Sequence, residues 1–358
     1  MLHTLDIIVG FAIRIGFLIF VHELGHYLAA RSQGVAVEVF SLGFGPALLK
    51  YKAKSGTQWQ ISALPLGGYV KMQGWGDAEP GQPVLPGSFS AASLSSKAVI
   101  VAAGPLANLA LAVVLYAGLF MTAGQSTTPA VFASIEANSA AAAAHFQPGD
   151  RVLAIGGVPV RDFAALQEMV VGHPNTELDF TIGRGKQQFT ESVQIGTATA
   201  DGESFGRLGV TAAPVFTRLG PVTAIGAAFH KTGAVIASWG TGMGQLIFHH
   251  KGLSELSGPI GIAQVTGQVA AMGWAPLVDL LAFLSINLGL VNLIPIPILD
   301  GGHLLFYAWE AVMRRKVPEQ AREMGLRFGA ALILTLFLVT TFNDLTRVGA
   351  VAWLTHLL

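Results

Sequence analysis

Apolar residues gather in four long runs, at about residues 5–30, 98–122, 277–298 and 326–342. Each is close to the roughly 20 residues that a helix needs to cross a bilayer, so the pattern predicts about four transmembrane helices. The second run is the purest: it carries no charged side chain, and Asn108 is its most polar residue. The first and third break the rule. Arg14, His22, Glu23 and His26 lie inside one; Asp279, Asn287 and Asn292 lie inside the other, with Asp300 just past its end.

Between the second and third runs the periodicity changes. Residues 129–214 read as a small domain of short strands with one helix: Val152 to Ile155 is a strand closed by Gly156-Gly157, residues 163–171 have helical spacing, and 177–182 alternate. Residues 222–250 mix apolar groups with His230, Lys231, Gly240 and the His249-His250-Lys251 cluster, which suits helices lying on a membrane surface. The chain therefore divides into residues 1–122, 123–215, an amphipathic interfacial linker at 216–276, and 277–358.

Composition agrees with a membrane protein. Only 12% of residues are charged, about half the share in soluble domains, and 52% are hydrophobic. Acidic and basic residues balance at 21 each, so nothing recommends a nucleic-acid partner, and lipid is the expected surrounding. There is no cysteine, so a metal would be held by His, Asp or Glu. Residues 1–6 lack Lys and Arg and include Asp6, which is poor signal-peptide chemistry. Basic residues concentrate in 31–97 (Arg31, Lys50, Lys52, Lys54, Lys71, Lys97) and 300–327 (Arg314, Arg315, Lys316, Arg322, Arg327). The positive-inside rule puts both stretches in the cytoplasm, and both termini and residues 123–276 outside.

The candidate chemistry is His22-Glu23-Leu24-Gly25-His26. Two histidines four apart project from nearly one helix face and can share a Zn²⁺, with the intervening glutamate beside the metal's water. An ionisable residue in mid-membrane costs about 2.5–3.5 kcal/mol, and structural zinc sites return on the order of 10 kcal/mol. A catalytic zinc generally takes three protein ligands. Asp300 is the best third candidate, because Pro295 and Pro297 break the helix before it and Gly301-Gly302 allow close backbone approach. Asp279 and Asp344 sit at segment ends and are expected to face solvent, while His303 is a rival nitrogen better suited to hydrogen bonding behind the ligands. Glu23 would then act as general base in metal-assisted hydrolysis. Asn292 could donate to the substrate backbone or oxyanion, or simply cap or pack its helix. A non-cutting peptide-binding scaffold has no use for Glu23, and a transporter with intramembrane acids would not explain the pentapeptide.

HELGH, Gly104-Pro105-Leu106-Ala107-Asn108, Asn292 to Gly302, Gly258-Pro259-Ile260-Gly261 and Phe342-Asn343-Asp344 together resemble the bacterial site-2 proteases, in particular the regulator-of-sigma-E protease group. The resemblance covers essentially the whole chain. It implies an α-helical inner-membrane protein whose zinc is held by His22, His26 and Asp300, with Glu23 catalytic and the site opening toward the cytoplasmic leaflet. It implies single-pass membrane proteins as substrates, with anti-sigma factors and remnant signal peptides among them. Phe146-Gln147-Pro148-Gly149-Asp150 looks like part of one extracytoplasmic PDZ-like α+β domain that takes a peptide or restricts substrate ectodomains, although the alanine-rich segment before it lacks the glycine usual there. Gly67, Gly68, Tyr69, Val70, Lys71 and Met72 resemble the family's membrane-associated β-structure after the first helix, a strand edge able to hold an unwound substrate extended.

Overall fold

The computed structural model describes residues 2–75, 85–200, 203–249 and 258–347. They form two compact units, a helical unit of Met1–Leu119 with Pro221–Leu358, and a smaller unit of Phe120–Gly220. His250 and Lys251 of the histidine-lysine cluster lie outside the described residues.

The first apolar run forms α1 (Leu2–Ser32). Gly34, at φ +75°, ends it: the Gly34 and Val35 amides return to the Arg31 and Ala30 carbonyls, closing the last turn in a Schellman motif. Arg14 folds back along its own helix, and a methyl group at Gly10 would stand 2.6 Å from its guanidinium. The charged head is thereby carried toward the helix N-terminus while the stem covers apolar surface. Next come β1 (Val37–Lys52) and β2 (Gln58–Met72). Residues 39–42 are in register with 58–61 on one side and 68–71 on the other, so two long strands fold into a small sheet, with Gly43 and Gly45 at positive φ where β1 bends. Phe40 stacks on Trp59 at 4.2 Å, and Tyr27 meets Trp59 at 5.1 Å, which fastens the sheet to α1. Leu48, Leu49, Tyr51 and Leu64 remain exposed, an apolar surface suited to lipid. The second run forms α2 (Leu94–Thr122), with Pro105 inside it.

The smaller unit starts with β3 (Gln125–Thr127), β4 (Ser134–Ile135) and α3 (Ala140–Ala143). Then follow β5 (Arg151–Ile155), β6 (Val158–Pro159), α4 (Phe163–Val171), β7 (Glu177–Arg184) and β8 (Gln187–Gln194), at the places the periodicity indicated for β5, α4 and β7. β9 (Gly196–Ala200), β10 (Glu203–Arg207), β11 (Val210–Thr211) and β12 (Val215–Thr217) complete it. The main sheet is antiparallel in the order β6-β5-β7-β8, and β4 pairs with β11 and β3 with β12. Phe132, Phe146, Leu166, Phe180 and Ile182 form its core. Asp162 caps α4 by accepting the Ala165 amide at 2.8 Å.

The turn before β5 is held by Asp150. Its buried carboxylate takes two bonds from Arg184, both 2.7 Å, and one from the Gln147 amide at 2.8 Å. Burial pushes this carboxyl up, but the Arg184 guanidinium and the backbone bond hold it below the usual carboxylate range. His145, which follows the alanine-rich segment and leads into the turn, has φ +53°. The left-handed conformation is retained without the residue best suited to it.

The chain returns to the helical unit as α5 (Pro221–His249), α6 (Pro259–Ala271), α7 (Trp274–Leu293), α8 (Asp300–Met313) and α9 (Glu319–Arg347). α5 buries Ala224, Ala228 and Thr232, lies against α7 and exposes Val222, Ile225 and Phe229. α6 packs against α1, α7 and α9, so residues 259–271 belong to the bundle, whereas the sequence pattern put 216–276 at the interface. The expectation for Asp344 also fails. It is buried, and its carboxylate accepts the Gly258 and Gly261 amides at 3.0 and 2.8 Å in the first turn of α6, satisfying donors that a helix start leaves free. A side chain at Gly258 would meet that carboxylate at 2.7 Å. Val9–Ser32, Leu94–Thr122, Trp274–Leu293 and Glu319–Arg347 are long and apolar enough to cross a membrane.

Candidate metal centre

His22 and His26, one turn apart on α1, present Nε2 atoms 3.2 Å from each other. Asp300, the first residue of α8, brings Oδ2 to 3.2 Å from the first and 3.4 Å from the second. α7 stops at Leu293, the Pro295 to Pro297 segment turns the chain, and α8 starts with its acid pointing back at α1. Gly301 and Gly302 are required here, since a Cβ on either would run into the backbone of residues 293–297. The close approach those glycines allow is to their own preceding loop, and it sets the direction in which Asp300 leaves the helix.

The donor set calls for a cation. His26 Nδ1 donates to the Ile100 carbonyl at 2.9 Å, so a neutral ring keeps a lone pair on Nε2. Asp300 Oδ2 is buried with no hydrogen-bond partner among the described residues. Ligands about 2.0–2.1 Å from a tetrahedral zinc stand about 3.3 Å apart, which is the spacing of these three atoms. The residues therefore fit zinc. His22, His26 and Asp300 are the group of side chains able to hold a metal among the described residues.

α2 supports both histidines. Gly25 and Gly104 let the helices touch: a methyl at Gly25 would strike the Ala103 carbonyl, and one at Gly104 would fall on the His26 ring. Asn108 Nδ2 lies 3.3 Å from His22 Nδ1, and Ser285 of α7 donates to the Asn108 carbonyl at 2.8 Å. Asn108 and Ile100 escaped the sequence reading as site groups. Asn108 stands out in sequence as the most polar residue of its run and as the end of the 104–108 motif, with no role attached, and a backbone carbonyl leaves no sequence signal.

Comparison with known proteins adds the family. The sequence profile of peptidase family M50 matches residues 10–336. The chain belongs to peptidase family M50. Among its relatives, "Putative zinc metalloprotease Atu1380" of Agrobacterium fabrum is 37% identical over 95% of each chain. "Metalloprotease MmpA" of Caulobacter vibrioides is 33% identical over 95% of this chain and 97% of its own. A solved structure, the PDZ domain of an SdrC-like protein from Listeria monocytogenes, matches 25% of this chain and 88% of that chain at 12% identity, with a TM-score of 0.21. As an M50 member the chain is a zinc metalloendopeptidase.

Around the M50 pentapeptide the other predicted residues divide. Glu23, next to His22 in the chain, is buried, and β2 passes directly beside it: a Cβ on Gly68 would lie 2.9 Å from Glu23 Cγ and 2.9 Å from the Ser41 carbonyl. Only glycine lets the strand come so near. Gly67 has φ +137° and packs under the Phe44 ring, and Tyr69, Val70 and Met72 continue the strand in register with Ser41, Phe40 and Val37. Met72 points into the core, while Lys71 pairs with Glu38 at 3.2 Å on the surface. Among the described residues, the 68–72 segment pairs with β1 alone. Asn292 turns its amide onto the Leu288 carbonyl, 3.0 Å away in its own helix. His303 stands edge-on to Trp75 at 5.6 Å and is not one of the grouped ligands. Burial first, and then the nearby Arg322 charge, lowers its pKa and favours the neutral ring.

Proposed function

We infer that this zinc metalloendopeptidase cuts single-pass membrane proteins within the membrane, using His22, His26 and Asp300 as zinc ligands and Glu23 as the general base. The triangle of two Nε2 atoms and Oδ2, with edges of 3.2–3.4 Å on a helix apolar enough to cross a bilayer, carries the reading. A zinc ion held there supplies Lewis acidity toward water and the scissile carbonyl. Glu23 takes the proton of the attacking water and delivers it to the leaving amine. A substrate helix hides its carbonyls in its own hydrogen bonds, so it must unwind before it can react. The 68–72 segment, paired on one side and lying beside Glu23, is the strand that holds the unwound stretch by backbone bonds. Asn292 contributes to substrate binding after leaving its intrahelical bond.

The basic stretches at 31–97 and 300–327 favour an inner-membrane orientation with a cytoplasmic catalytic mouth and with both termini and residues 123–276 outside. The 120–220 unit acts there as a PDZ-like module that binds a peptide or limits access by bulky ectodomains. Anti-sigma factors trimmed by an earlier protease, in regulated intramembrane proteolysis of an envelope stress response, and remnant signal peptides are the substrates in view. Purified protein should be mixed in detergent with a single-pass reporter. Glu23→Gln should lower cleavage by about 10²–10⁴-fold, the contribution of general acid–base catalysis. Undiminished cleavage would remove Glu23 from the mechanism.

A further inference from the structure

The two histidines are held from behind by different groups. The Ile100 carbonyl can only accept, so His26 Nδ1 must carry the proton. His22 Nδ1 faces an amide, which offers an acceptor at one end and a donor at the other. With Nδ2 toward the ring, His22 keeps its proton on Nε2, directed at the cluster, and cannot ligate through that atom. Asn108 Oδ1, on a fully buried side chain, then has no hydrogen-bond partner among the described residues. Half a turn of the amide gives Oδ1 the Nδ1 proton and leaves the Nε2 lone pair facing His26 Nε2 and Asp300 Oδ2, each 3.2 Å away. The cost is an amide N–H left where the orphaned oxygen had been.

We propose that Asn108 is the positioning residue for His22: in the zinc-loaded protein its side-chain carbonyl accepts the Nδ1 proton, fixing the ring's tautomer and its angle toward the metal. Groups of this kind behind a ligand are generally worth 10–100-fold in metal affinity. The anchor is itself anchored, because Ser285 ties the Asn108 backbone to α7, the helix that leads to Asp300. α2 thus holds both histidines with one backbone and one side-chain carbonyl, and its Pro105 lies between them.

The inference rests on His22 being a zinc ligand, so the experiment includes His22→Ala. Zinc affinity of the full-length protein in detergent is measured by competition with a chelating dye, beside thermal unfolding of the metal-free forms. Asn108→Leu, which fills the space without an acceptor, should weaken zinc binding about 10–100-fold with little change in metal-free unfolding. Asn108→Asp, which keeps an acceptor and lacks a donor, should stay within a few-fold of wild type. Ser285→Ala, which leaves the amide in place, should do the same. Wild-type affinity in Asn108→Leu, or a loss above tenfold in Asn108→Asp, overturns the proposal. Should Asn108→Leu fail to fold, the Asp variant still decides. If His22→Ala keeps full affinity, the ligand assignment fails; if it loses zinc while Asn108→Leu does not, only the positioning role fails. Nitrogen-15 histidine spectra of the zinc-loaded protein supply an independent readout, with His22 protonated on Nδ1 as the expected result and on Nε2 as the contrary one.

Discussion

Asp150 and Asp300 are both acids drawn out of water, and the chain treats them in opposite ways. Asp150 receives a bidentate guanidinium and a backbone amide, so its charge is answered within its own unit. Asp300 Oδ2 is brought against two imidazole nitrogens, one of them with its lone pair fixed toward the acid, and has no hydrogen-bond partner among the described residues. Asp344 sides with Asp150, answered by two amides of α6. A buried acid satisfied by its own chain holds structure together, and one crowded by metal-binding nitrogens without a hydrogen-bond partner has the surroundings that fit a cation.

The contrast can be broken by substitution. Asp300→Asn should abolish reporter cleavage with a smaller loss of metal-free stability than Asp150→Ala, because Asp300 has no guanidinium or backbone amide of the kind that holds Asp150. A large loss of metal-free stability would put Asp300 with Asp150. Asp150→Ala should do the reverse and loosen the 120–220 unit. Hydrogen bonds to charged groups contribute about 1.5–3 kcal/mol, and loss of the Gln147 bond alone should lower protection of the Phe180 and Ile182 amides by about that much in hydrogen exchange on the full chain. The pH dependence follows from the depressed Asp150 pKa. Its stabilisation is complete above the ordinary carboxylate value of about 3.9 and is lost as pH falls below that value, so protection of the same amides, relative to their intrinsic exchange, should fall in acid and should do so less in Asp150→Asn. The smallest effect belongs to His145→Gly, which should stabilise the unit by about 0.5–1 kcal/mol by relieving the left-handed backbone; no gain would mean that the turn carries no strain.

The comparison also separates what sequence can reveal from what it cannot. His22, Glu23 and His26 are legible because helix periodicity converts spacing into a shared face, and Asp300 because two prolines and two glycines mark a break that needs a reason. The four apolar helices follow from the same short-range patterns, and the strand beside Glu23 from the family resemblance of residues 67–72. Asp344 is not legible: its partners are backbone amides 83 and 86 residues away, and its place at the end of an apolar run looks like exposure. α6 looks interfacial in sequence because its packing against three helices is not encoded in its own composition. Asn108 stood out by polarity, yet only the approach of α1 to α2 through Gly25 and Gly104 gives that polarity an object.

The most direct test of the account is the zinc content of purified Glu23→Gln and Asp300→Asn proteins measured beside the wild type after removal of loosely bound metal. One zinc per chain in the wild type and in Glu23→Gln, with most of the metal lost from Asp300→Asn, is the predicted result. Full zinc in Asp300→Asn, or an empty Glu23→Gln, would contradict the division of labour between three ligands and a base.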